Sequence, residues 1–108
     1  MMKDLTSEHD LDDLLHAPDD VVLLKHGAHC PISAGARDSL GEFARSYPDV
    51  PVYGVEVTGH RALSDLVADR LGVPHQSPQL FVLRGGRPVW HAEHFAITPE
   101  AIAAQLAH

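Results

Sequence analysis

Val21-Val22-Leu23-Leu24-Lys25-His26-Gly27-Ala28-His29-Cys30-Pro31-Ile32-Ser33 decides how this chain is read. Val21 to His26 is a continuous, mostly apolar run, far shorter than the about 20 apolar residues a bilayer span needs, and it reads as a buried strand. Beyond Pro31, the residues Ile32, Ala36, Leu40, Phe43, Ala44 and Tyr47 recur at helical spacing, so a helix is expected from Pro31 to about Tyr47, closed by Pro48. Proline is favoured at the first helical position, which puts Cys30 at the N-cap. There, unpaired backbone N–H groups and the positive end of the helix dipole favour an anion, and a thiolate is one.

Outward from this stretch the chain alternates between the two periodicities. Val50 to Val57 is β-branched and bounded by breakers, and with the preceding strand and helix it forms a βαβ unit whose strands should be parallel. Leu63, Leu66, Val67 and Leu71 make the next helical stripe, stopped by Gly72 in the place of a left-handed C-cap. Leu80 to Arg84 and Pro88 to Glu93 flank Gly85-Gly86, a hairpin dipeptide. Thr98-Pro99 then supplies an N-cap and a first helical residue, with Ile97 and Ile102 as the hydrophobic staple of a last helix. Upstream, Ser7-Glu8-His9-Asp10 resembles a capping box ahead of Leu11, Leu14 and Leu15, a helix ending near Pro18. The order is an extra N-terminal helix, then βαβ, α and ββα. This is the thioredoxin-like arrangement, an α/β fold with a central mixed four-stranded sheet flanked by helices. At 108 residues the whole chain, 1–108, fits a single domain.

Within that order Cys30 stands between the first long strand and the helix that follows. A lowered thiol pKa there raises the fraction of thiolate, the species that attacks disulfides. Cys30-Pro31-Ile32-Ser33 keeps Cys-x-x-Cys spacing with a hydroxyl in place of the second thiol, so Cys30 needs an external thiol to release a mixed disulfide. Ser33, one turn into the helix, can donate a hydrogen bond to the thiolate; an ordinary first-turn serine is the competing reading. His29 either pairs with the thiolate or is simply exposed. Ser77-Pro78-Gln79 precedes the third strand, where thioredoxin-like proteins place a cis proline beside the active cysteine. A cis bond is therefore expected, with Ser77 and Pro78 shaping a groove that offers its backbone to an extended substrate.

Composition removes several classes. Hydrophobic residues at 44% and charged residues at 21% suit a globular domain, and a net charge of −7 disfavours nucleic acid, which needs clustered cations. The start of the chain has no apolar signal region, and a lone cysteine suits a reducing compartment; a cytoplasmic location and no membrane association are the expectations. There are nine histidines, and His26, His29 and Cys30 lie close in sequence. No second Cys and no His-x-x-x-His pair completes a zinc set, so no metal site is expected. His75, His91 and His94 read as surface or strand residues, and Trp90 as packed against the sheet.

Leu24-Lys25-His26, Cys30-Pro31-Ile32-Ser33, His60-Arg61-Ala62-Leu63-Ser64, His75-Gln76-Ser77-Pro78-Gln79 and Val89-Trp90-His91-Ala92 resemble, in order, segments of the monothiol bacilliredoxin family, the YtxJ-like proteins of the bacillithiol system. The likeness runs from about Val21 to the last helix, and it carries over onto Cys30 and Pro78. It departs at His29, where a threonine or another small polar residue is expected. The resemblance implies a monothiol thiol-disulfide oxidoreductase that removes bacillithiol from mixed disulfides on oxidised proteins through Cys30. Its partners would be bacillithiolated client proteins and a low-molecular-weight thiol, with bacillithiol as co-substrate and no tightly bound cofactor. Two alternatives stand beside it: a non-catalytic redox-sensing or adaptor domain modified at Cys30, and an iron-sulfur cluster held between two chains.

Overall fold

β2 (Asp20–His26) runs through the middle of the sheet, and the computed structural model, which describes residues 2–107, builds everything else around it. β3 (Val52–Glu56) pairs with it in parallel and β4 (Gln79–Arg84) antiparallel; β5 (Arg87–Glu93) continues from β4. α2 (Pro31–Ser46) connects β2 to β3, and α3 (Arg61–Leu71) connects β3 to β4. α1 (Glu8–Leu15) precedes β2, and α4 (Pro99–Ala103) closes the chain after a short helical turn at His94–Ala96.

Among the described residues the sheet has five strands where the sequence reading expects four. The additional one is β1 (Lys3–Asp4), which pairs in parallel with Tyr53 and Gly54 of β3 at the edge, giving the order β1-β3-β2-β4-β5. Two exposed polar residues carry no alternation to announce a strand. The second β-branched run is shorter than expected, Val52–Glu56 rather than Val50 to Val57. The punctuation falls as read. Gly72 has φ 68°, Gly85 and Gly86 have φ 60° and 77°, and Thr98 accepts the Ala101 N–H at 3.1 Å. A Cβ on Gly86 would collide with the Leu15 carbonyl oxygen, so the hairpin turn closes against the end of α1.

Because β2 is covered on both faces, it alternates between two cores rather than between core and water. Val22 and Leu24 pack with Leu40 and Phe43 of α2 and Ile102 of α4, while Val21 and Leu23 pack with Leu11 of α1 and Leu63 and Val67 of α3. Trp90 packs, half-buried, against the first of these clusters.

One residue breaks the apolar rule. Lys25, on the α1–α3 face of β2, is completely buried and its Nζ has no hydrogen-bond partner among the described residues. Burial pushes its pKa down to about 8, with the Asp65 carboxylate opposing. Unfolded, the ammonium holds its proton to the ordinary value of 10.5. Between these two values the unfolded chain binds the extra proton, so the stability of the wild type rises with pH there. Lys25→Met, which replaces the buried charge with an apolar chain of similar volume, is expected to raise stability at neutral pH by about 1–3 kcal/mol. That advantage should shrink as pH climbs through the window. Urea unfolding on either side of it measures both, and a variant no more stable than wild type at neutral pH contradicts the account.

Candidate functional site

α2 begins where the sequence places it, with Cys30 at the N-cap in extended backbone (φ −95°, ψ 122°) and Pro31 at the first helical position. The cysteine is half-buried and free. Its thiol makes no capping hydrogen bond of ordinary geometry. The helix start instead favours the ionised sulfur: the Ser33 N–H and then the Ile32 N–H hold the pKa below its usual value against the effect of burial, aided by the Ser33 hydroxyl and the Arg37 charge.

Ser33 is completely buried, and its Oγ accepts the Gly27 N–H at 2.9 Å. An oxygen used as acceptor there keeps its own proton free to donate, and the neighbouring thiolate is the group that gains from it. One turn further along α2, Arg37 Nη1 donates to the Gly27 carbonyl at 2.8 Å. Both polar groups of the Gly27 backbone are thus bound by side chains of α2. A Cβ on Gly27 would lie 3.6 Å from Cys30 Cβ and 3.7 Å from Ser33 Oγ, so the clamp closes the loop directly over the cysteine.

Arg37 also reaches His26, with Nη1 3.2 Å from Nδ1. Arginine only donates, so Nδ1 accepts and the imidazole proton resides on Nε2, which donates to Asp4 Oδ1 at 3.3 Å. Asp4 lies across Gly54, where a Cβ would come within 2.6 Å of Oδ1. A chain of polar contacts therefore runs from the edge strand β1 through His26 and Arg37 to the loop that carries the thiol. Sequence reasoning missed Arg37 and Asp4, and weighed His26 only as a metal ligand. Arg37 had a signal, since it stands four residues after Ser33 and so on the same face of the helix.

Ser77-Pro78 is a cis peptide. Lys25 pairs with Gln79 across the antiparallel β2–β4 ladder, so Pro78 and Ser77 continue past His26 and Gly27 at the edge where Cys30 emerges. Pro78 is buried, and its carbonyl accepts the His94 N–H at 3.1 Å. Ser77 is half-buried and Pro31 exposed. His29 is exposed, and the cation that acts on Cys30 is Arg37. Among the described residues no group of three or more His, Cys, Asp or Glu is placed to hold a metal ion, and no helix is long and apolar enough to cross a membrane.

The family model for monothiol bacilliredoxin BrxC matches residues 3–102 of the chain. Among solved structures, a candidate oxidoreductase with a thioredoxin fold superposes with a TM-score of 0.90 at 33% identity, covering 95% of this chain and 91% of its own. Thioredoxin from Trypanosoma brucei brucei gives a TM-score of 0.80 at 13% identity over 96% of this chain and 86% of its own. Thioredoxin from Fasciola hepatica gives 0.78 at 14% identity, over 97% and 96%. At such identities these two show the shared fold alone.

The clamp makes Ser33 testable in two ways at once. Ser33→Ala strips the buried Gly27 N–H of its acceptor, a loss of about 1–3 kcal/mol in unfolding free energy. It also removes a donor from the thiolate, so the inflection of the alkylation rate against pH should move upward from a wild-type position held below the ordinary thiol value. An unmoved inflection would assign Ser33 to the loop alone.

Proposed function

Because the chain belongs to the monothiol bacilliredoxin family and has the α/β thioredoxin fold of thiol oxidoreductases, we propose that it strips bacillithiol from oxidised proteins by thiol-disulfide exchange at Cys30. The observation that carries the proposal is the pairing of a single cysteine, the only one in the sequence, with a helix start that favours its anion. The Cys30 thiolate attacks the bacillithiol sulfur of the mixed disulfide. A bond forms between Sγ and that sulfur, the bond to the client breaks, and the client cysteine leaves as a thiolate that takes a proton from water. Cys30 now carries the small thiol. Since Ser33 has no sulfur to displace it, a second low-molecular-weight thiol, as its thiolate, attacks the bacillithiol sulfur; it ends in a disulfide with the released bacillithiol, and Cys30 returns to its thiolate.

Pro31 fixes the helix start, and Ser33 with Arg37 holds the charge between cycles. Ser77 and Pro78 border the groove in which an extended client segment lies, its backbone paired as an added strand would be. Bacillithiol acts as a co-substrate and no tightly bound cofactor takes part. The lone unpaired thiol fits the reducing conditions of a cytoplasm.

The test supplies a bacillithiolated client in excess over the protein, with free low-molecular-weight thiol present, and follows client release. Wild type should release many clients per chain, and Cys30→Ser should slow release on the order of a hundredfold or more, having lost the nucleophile. Release by Cys30→Ser at the wild-type rate would remove Cys30 as nucleophile. Release that stops at one client per chain would point instead to a sensor or adaptor modified at Cys30.

A further inference from the structure

Gln79 opens β4 directly after the cis Ser77-Pro78 peptide, and its side chain is completely buried. The amide makes three hydrogen bonds: Oε1 accepts the Gln76 N–H at 3.3 Å, and Nε2 donates to the Pro74 carbonyl at 3.1 Å and to Glu93 Oε2 at 3.0 Å. A carbonyl and a carboxylate only accept and a backbone N–H only donates, so a single orientation of the amide satisfies all three. Pro74, His75 and Gln76 are exposed and lie in neither helix nor strand, so no apolar burial of their own fixes their path. The buried amide binds this loop at two points, and α3 also reaches it, with Ser64 Oγ 3.3 Å from His75 Nδ1. The loop in turn delivers the chain to Ser77 and Pro78.

The third bond ties the amide to the neighbouring strand. Glu93 stands opposite Gln79 in the β4–β5 ladder, and its Oε2 also lies 2.6 Å from His91 Nδ1. Burial pushes the Glu93 carboxyl up, but the hydrogen bonds from Gln79 and His91 and the charges of His91 and His94 outweigh it and hold the group below its ordinary value. Gln79 is therefore anchored on a carboxylate, a stronger acceptor than a neutral oxygen. The next residue, His94, has left-handed backbone (φ 54°), uncommon outside glycine, and from it donates its N–H to the Pro78 carbonyl at 3.1 Å. β5 and its continuation thus reach the loop twice, through Glu93 to Gln79 and through His94 to Pro78. The Gln79 amide takes no part in the hydrogen bonds and charges that favour the Cys30 thiolate.

We propose that Gln79 is a positioning residue for the protein client: anchored on Glu93, it holds Pro74 to Pro78 in the conformation that receives an extended client segment beside Cys30. The role of the loop in client binding rests on the exchange reaction proposed above; the hold on the loop rests on the three hydrogen bonds.

Against a bacillithiolated client protein, Gln79→Leu should raise KM about tenfold or more and leave kcat within about twofold, the signature of lost binding rather than lost chemistry. Exchange of Cys30 with the disulfide of mercaptoethanol, which has no segment to lay in the groove, should keep its wild-type rate. In amide hydrogen exchange, the Gln76 N–H should lose protection. Glu93→Ala, on the edge strand and only half-buried, removes the anchor without opening the core; it should raise KM about threefold and so decides the matter if Gln79→Leu does not fold. An unchanged KM in Gln79→Leu overturns the positioning role, and so does a slowing of small-disulfide exchange in step with client release, which would make Gln79 a support of the whole site. A KM raised by Gln79→Leu but not by Glu93→Ala removes Glu93 as anchor. Lost Gln76 protection in a protein whose wild type releases no client supports the hold on the loop and overturns the exchange reaction together with the client role drawn from it.

Discussion

The fixed position of β2 is the constraint on which the candidate site depends. The strand is paired on both sides and buried on both faces, so a slip of one residue would drive Val22 and Leu24 into the α1–α3 core and Val21 and Leu23 into the α2–α4 core, repacking both at once. Its last residues are thereby set in register and in facing, with Lys25 toward α3 and His26 toward the opposite layer. The chain then turns through Gly27 into α2, and Cys30 has little choice of position.

What the strand begins, α2 completes. A helix N-terminus alone is a general anion site; here the same helix sends Ser33 and Arg37 back to bind both polar groups of the Gly27 backbone, so the loop carrying the thiol is tied to the helix that stabilises its charge. Arg37 bonds to Gly27 and His26 while its charge acts on the sulfur, which joins the electrostatics of Cys30 to the packing of its loop. Serine at position 33 serves this arrangement in a way a second cysteine would not, because an oxygen accepts the Gly27 N–H well and a sulfur accepts poorly.

Much of this was legible in the sequence because it depended on local rules. Proline at the head of the α2 stripe fixed the N-cap, paired glycines marked the hairpin, and Thr98-Pro99 marked the last helix. β1 was not legible: two residues carry no period, and their place depends on Gly54, fifty residues on, having no side chain to displace Asp4. The contacts of Arg37 with Gly27 and His26 were likewise hidden, since they become neighbours only when β2 and α2 pack. Lys25 announced itself as a charge inside an apolar run, yet only the three-dimensional arrangement shows that its ammonium is sealed in without a partner.

The end of β2 thus carries two charged centres, on opposite faces of one sheet. On the α2 face the favoured anion belongs to the protein: it is the Cys30 thiolate, and backbone N–H groups, a hydroxyl and Arg37 are already arranged around it. On the α3 face the charge is the Lys25 ammonium, sealed in without a hydrogen-bond partner among the described residues, and the Asp65 carboxylate offsets only part of its desolvation. The asymmetry has a chemical sense. A thiolate must be stable without its substrate so that it is present to attack, whereas the buried ammonium stands among apolar side chains and costs the fold stability at neutral pH.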